Sequence, residues 1–106
     1  MRYKLSTFAL LLLIPLVTVA QDIEITGKVI DTDNKPLEFV NALVFSKDST
    51  FVKGAVTDAN GAFTLTNAKA STSYIKLQSL GLKEVVREID TNGSTFQMGT
   101  ITMEND

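Results

Sequence analysis

Two clusters of side-chain oxygens could hold a cation: Asp58-Ala59-Asn60-Gly61 and Asp31-Thr32-Asp33-Asn34. A calcium loop needs oxygens at alternate positions, a glycine at the sixth place of twelve and a closing glutamate. In the first cluster Gly61 comes at the fourth place and no Glu closes the loop. Asp at the first position and Gly at the fourth suit a type I turn followed by a left-handed residue. Asp58 can accept from the backbone amides of Asn60 or Gly61, and Gly61 takes positive φ without a Cβ clash. Asp58, Asn60 and Gly61 are therefore expected to form a structural hairpin. In the second cluster Lys35 and Pro36 follow where more ligands would be wanted. A turn is the default there, with a weak cation site as the alternative. No tightly held metal or cofactor is expected.

Other chemistry has little to draw on. The chain has no His and no Cys. A serine–histidine nucleophile cannot be assembled, nor a zinc site of the usual His and Cys type. Glu84 and Glu88 are the remaining carboxylate pair, but Lys83 and Arg87 interleave with them on what reads as a solvated strand face. No enzyme is expected. Beyond the first 20 residues the aromatics are Phe39, Phe45, Phe51, Phe63, Tyr74 and Phe96, with no Trp. Phe in strand patterns is more often core than binding surface. A ring-lined concave patch around Tyr74 would mark a binding module, and an all-core Phe set a scaffold.

The elements that position these residues are short. Segments rich in Val, Ile, Thr and Phe are separated by turn residues about every ten positions, the signature of an all-β sandwich. Ile23–Val29 alternates apolar and polar as a half-buried strand does. Strands are also predicted at Phe39–Ser46, Thr50–Thr57, Phe63–Leu65, Tyr74–Gln78, Glu84–Ile89 and Phe96–Met103. The nearly continuous run Ala42-Leu43-Val44-Phe45 predicts that the second of these is central.

The first 20 of the 106 residues read differently. Arg2 and Lys4 precede an apolar run from Phe8 to Val17, and Thr18 and Ala20 put small residues before Gln21. That is a secretory signal peptide with cleavage between Ala20 and Gln21. The run is shorter than the ~20 apolar residues that span a bilayer. The organisation expected is thus a signal peptide over 1–20 and one domain over 21–106, with no membrane span in the mature chain. Two of the ten basic residues leave with the signal peptide, against twelve acidic residues retained. An acidic domain is a poor partner for nucleic acid or anionic lipid. Without cysteine, an exported domain of this size depends on packing alone.

The stretch "ITGKVIDTDNKPLEFVNALVFSKDSTFVKGAVTDANGAFTL", continued by "SYIKLQSLGLKEVVREI" and "MGTITM", resembles the carboxypeptidase regulatory-like domain. The landmarks are Gly27 and Val29, Pro36-Leu37, Asn41-Ala42, the Thr57–Phe63 hairpin, the Gly81 bend and Gly99-Thr100-Ile101. Leu82 departs from the pattern, which has Tyr there. The resemblance implies a seven-stranded Greek-key sandwich, transthyretin-like or Ig-like, without catalytic residues. In Bacteroidetes, a signal peptide followed at once by this domain usually opens an outer-membrane β-barrel protein, with or without a TonB-dependent plug. Asp48-Ser49-Thr50 also looks like the O-glycosylation acceptor pattern of such bacteria, which would mark Ser49. A hairpin turn explains the same residues. Asn92-Gly93-Ser94 matches an N-glycosylation sequon.

The function expected is a non-catalytic accessory or interaction module. It would be exported to the periplasm or outer membrane and associated with a barrel, a TonB-dependent transport protein or another envelope protein. The alternatives are a small glycan- or ligand-binding module and a non-catalytic part of an exported carboxypeptidase system.

Overall fold

The computed structural model describes residues 22–69 and 72–106. The expected signal peptide and its expected cleavage point at Ala20 and Gln21 lie outside the described residues. Seven strands follow one another: β1 (Ile23–Ile30), β2 (Asn41–Ser46), β3 (Phe51–Val56), β4 (Ala62–Ala68), β5 (Thr72–Gln78), β6 (Val85–Glu88) and β7 (Thr95–Thr102). They form two sheets, ordered β4-β1-β7 and β3-β2-β5-β6. Every neighbouring pair is antiparallel except β1 and β7, which run parallel. The all-β sandwich of seven strands is as the sequence predicts, and β2 lies inside its sheet as its apolar run predicts.

Alternation builds the core. β1 turns Ile23, Ile25 and Val29 inward, β4 turns Phe63 and Leu65, and β5 turns Ile75 and Leu77; all are buried. Full burial of such side chains stabilises by roughly 1.5–3 kcal/mol each. Gly27 pairs with Phe63 across β1 and β4, and a Cβ at Gly27 would stand 2.6 Å from the Phe63 ring. The largest ring of the core thus fills the space that this glycine leaves. At the open edge, the Lys53 ammonium of β3 donates to the Thr66 carbonyl of β4 and ties the two sheets together.

Two expectations need correction. The second strand begins at Asn41 and not at Phe39, because Phe39 has a φ of +66° and sits in a turn. Nor are the phenylalanines an all-core set. Phe63 is buried and Phe96 packs on the core, but Phe39 is 72% exposed and Phe51 56%. Phe45 lies on the outer face of its sheet, half-buried. Inward positions of β2 belong to the smaller Ala42 and Val44, both fully buried. Phe45, at the other parity of the same strand, is left on the outer face, where it packs on Phe51 and Tyr74.

Candidate functional site

The Asp58–Gly61 stretch is a tight turn whose polar groups bond to one another, but it is not the hairpin the sequence suggested: it carries the chain from β3 in one sheet to β4 in the other. The Gly61 amide donates to the Asp58 carbonyl at 2.9 Å, and the Asp58 amide to the Ala62 carbonyl at 2.9 Å. The Asp58 carboxylate accepts from the amides of Asn60 at 2.8 Å and Ala62 at 3.0 Å. The sequence offered Asn60 or Gly61 as donors; Asn60 is one, and Ala62 takes the place of Gly61.

The bond from the fourth amide to the first carbonyl occurs twice more. In the turn from Asp31 to Lys35, Asn34 donates to the Asp31 carbonyl at 3.1 Å, and the Asp31 carboxylate accepts from the amides of Asp33 at 2.8 Å and Lys35 at 2.9 Å. In the turn from Ser46 to Thr50, Ser49 donates to the Ser46 carbonyl at 2.9 Å, and the Asp48 carboxylate accepts from the Thr50 amide at 3.2 Å. The fourth residue of each turn is left-handed: Asn34 at +65°, Ser49 at +69° and Gly61 at +77°. The bonding Asp is first in the turns at 31 and 58 and third in the turn at 46, and in each the carboxylate is spent on its own turn.

Only Gly61 has a further constraint. It is buried, and its carbonyl accepts from the Val29 amide at 2.8 Å. A Cβ there would overlap the Val29 carbonyl oxygen and stand 3.2 Å from the Leu37 nitrogen. Asn34 and Ser49 show that a side chain is tolerated at this φ. Glycine is required at 61 by the close approach of β1, which spacing alone does not reveal.

Sequence reasoning also missed Thr57, which is buried. Its hydroxyl donates to the Leu37 carbonyl at 2.6 Å and accepts from the Val40 amide at 2.8 Å. It thereby stands in for the direct bond that would close a Leu37–Val40 turn. A single Thr before an Asp carries no sequence signal for such a role.

On the outer face of the four-stranded sheet, Phe45, Phe51 and Tyr74 cluster. Phe45 and Tyr74 stack with centroids 5.3 Å apart and planes at 16°; Phe45 meets Phe51 edge-on at 5.9 Å. The Lys76 ammonium lies 5.3 Å from the Phe45 centroid. The rings therefore spend much of their surface on one another. The Tyr74 hydroxyl donates to Ser49 Oγ at 3.0 Å, so the proposed glycosylation position is an exposed turn residue already bonded to its neighbour. Asn92 sits in an exposed turn where its amide donates to the Asp90 carboxylate at 3.0 Å.

The Ser46 hydroxyl donates to the Asp48 carboxylate. That bond, with further bonds from Thr50, holds the Asp48 carboxyl below the usual aspartate value. A lowered pKa makes Asp48 a weak general base. Glu84 accepts from the Gln78 side-chain amide, and Glu88 lies exposed on β6. Among the described residues no three His, Cys, Asp or Glu side chains converge on a metal-sized site, and no cavity opens between the sheets.

Known proteins place this arrangement in context. No curated protein matches by sequence. Solved structures share the fold at low identity. The major pilin subunit of Bacillus cereus superposes with a TM-score of 0.63 at 15% identity, over 87% of this chain and 32% of the pilin. A 9R-lipoxygenase from Cyanothece gives 0.56 at 20% identity, over 93% of this chain and 20% of the enzyme. A 3-chlorocatechol 1,2-dioxygenase from Rhodococcus opacus gives 0.58 at 12%, over 83% and 61%. The chain thus spans between a fifth and about three fifths of these proteins. Such likeness shows the sandwich fold and nothing of the larger proteins' activities. The family model of the CarboxypepD_reg-like domain matches residues 25–106, from the middle of β1 through all the remaining strands, and the chain belongs to that family.

Proposed function

We propose that the chain is exported and serves as a non-catalytic accessory module of the cell envelope. Its partner in this reading is an outer-membrane β-barrel or TonB-dependent transport protein. The observation that carries the reading is how the polar side chains are used. Asp31, Asp48 and Asp58 each close a turn, and family membership gives the fold no catalytic set to add. The signal-peptide pattern before Gln21 supports export. The glycan-platform alternative is disfavoured, because the Phe45 ring packs against Tyr74 and Lys76 instead of offering an open flat face. Ser49 is kept as a candidate acceptor on account of its exposure at a turn.

Envelope fractionation with N-terminal analysis tests this reading. The expected product begins at Gln21 and co-purifies in mild detergent with an outer-membrane protein. An intact Met1, or a chain recovered only from the cytoplasm, overturns it. Intact-mass measurement of the same material would show a glycan on Ser49 as an added mass.

A further inference from the structure

Four loop segments meet at one end of the sandwich. The register pairs Asn41 with both Val56 and Gln78, so the turns preceding β2 and following β3 and β5 emerge side by side. The closing segment joins them, since Lys83 donates to the Glu104 carbonyl at 2.9 Å and Asp106 to the Gly81 carbonyl at 3.0 Å.

Two large apolar side chains project from this end. Phe39 occupies the third place of the Leu37–Val40 turn, where positive φ favours glycine, and 72% of it is exposed. Thr57 holds the turn in that form through its hydroxyl, and the Phe39 amide donates to the Thr57 carbonyl at 3.0 Å. Leu80 stands at the corner of the Ser79–Leu82 turn, ahead of the left-handed Gly81, and is fully exposed. Phe39 and Leu80 each stand two residues beyond the Asn41–Gln78 pair, so both leave the same end of neighbouring strands. A bulky residue at positive φ is strained and persists only where its surroundings impose it. Here the imposed conformation puts a ring into water at the end of the sandwich that also carries the exposed Leu80.

The charge around this pair is one-sided. Asp31, Asp33 and Glu38 lie in the first loop and Asp58 in the second. Glu84, Glu104 and Asp106 belong to the third loop and the segment bonded to it, and among the described residues only Lys35 and Lys83 oppose them at this end. At the opposite end the described segments are less one-sided, with Lys47 and Lys69 against Asp22, Asp48 and Asp90.

We propose that Phe39 and Leu80 form a two-pronged docking tip for a polypeptide partner whose surface offers an apolar recess rimmed by lysine or arginine. Apolar anchors carry affinity, and the surrounding carboxylates steer the encounter and select a basic partner. The proposal rests on the reading of the domain as a non-catalytic interaction module and names the surface and the partner's chemistry.

The test uses a short peptide of alternating leucine and lysine, with a leucine–glutamate peptide as control, followed by backbone amide shifts of the chain. The expected shifts fall in 31–40, 57–61, 79–84 and 103–106. Binding weakens at least about tenfold at high salt, with the control peptide and in the Phe39→Ser, Leu80→Ser double variant. The single variant Phe39→Gly is expected to raise the denaturant midpoint while losing binding, since glycine accepts the φ without strain. A lowered midpoint for Phe39→Gly would show the ring to be structural and overturn the proposal. So would equal binding of both peptides, or shifts centred on Phe51 and Val86. Shifts in the same loops with phosphatidylcholine vesicles, and none with the basic peptide, would overturn it in favour of a lipid surface. Should the double variant still co-purify with the envelope partner, the docking tip fails and the proposed function stands. Should the unaltered chain fail to co-purify, the proposed function fails.

Discussion

Val29 and Gly61 meet backbone to backbone: the Val29 amide donates to the Gly61 carbonyl at 2.8 Å, and no Cβ fits at residue 61 beside the Val29 carbonyl oxygen. Two separate constraints therefore fall on one residue. Asparagine satisfies the positive φ but not the close approach. Gly61→Asn should cost nearly as much as Gly61→Val, on the order of 1–3 kcal/mol each. At Asn34, where φ is similar and the residue is exposed, Asn34→Gly should be close to neutral. Urea midpoints of the three variants decide; a well-tolerated Gly61→Asn would show that φ alone matters.

Thr57→Val keeps the side-chain shape and removes the hydroxyl that serves Leu37 and Val40. The buried Val40 amide then loses its partner, at a cost of about 1–3 kcal/mol. The same change frees the turn that holds Phe39. Faster hydrogen exchange at Val40, with little change in β6 and β7, is the expected pattern. Uniform loss of protection across both sheets would contradict it.

Asp48 gives a pH signature. Its carboxyl is held below the ordinary value of 3.8, first by the Ser46 hydroxyl and then by Thr50. A depressed folded pKa means that the ionised form stabilises the turn at any pH above the usual aspartate range. That contribution fades as pH falls through the folded value. The Thr50 amide shift should therefore titrate with a midpoint below 3.8, and Ser46→Ala should move the midpoint upward. A midpoint at or above 3.8 in the unaltered chain would contradict the assignment.

The outer-face aromatics make a further prediction. Phe45 and Tyr74 are directly paired across β2 and β5 and stack. A double-mutant cycle to alanine should return a coupling of about 0.5–1.5 kcal/mol. Tyr74→Phe keeps the stack, loses only the exposed bond to Ser49 and should change stability by less than about 0.5 kcal/mol. A larger loss would mean that the hydroxyl, and not the stack, holds this face together.

Strand number, turn positions and the sandwich were legible because alternation and turn residues are local signals. Ile23, Ile25 and Val29 announce an inward face, and Asp31, Asp48 and Asp58 each announce a turn. What the local signals could not carry was which parity of β2 faces in. Ala42-Leu43-Val44-Phe45 is apolar at both parities, and the choice is made by β1 and β4 across the core. Phe39 looked like the start of that strand because it is apolar and adjacent. Its φ is set by Thr57, eighteen residues further on in sequence. Gly61 was legible as a turn glycine, while its contact with Val29 was not, since the two residues meet only once β1 and β4 have paired.

The Asp58–Gly61 turn serves the fold, and Phe39 and Leu80, not the turn itself, anchor the partner. The most direct test measures the denaturant midpoint and recovery of the envelope partner side by side for Asp58→Ala and Gly61→Val. Asp58→Ala should lower stability by about 1 kcal/mol through lost turn bonds, and Gly61→Val by more. At a temperature where each variant remains folded, the partner should still be recovered, Asp58→Ala losing only the share of one steering carboxylate. A Gly61→Val protein with an unaltered midpoint that no longer recovers its partner would make the turn a functional loop and contradict its structural role.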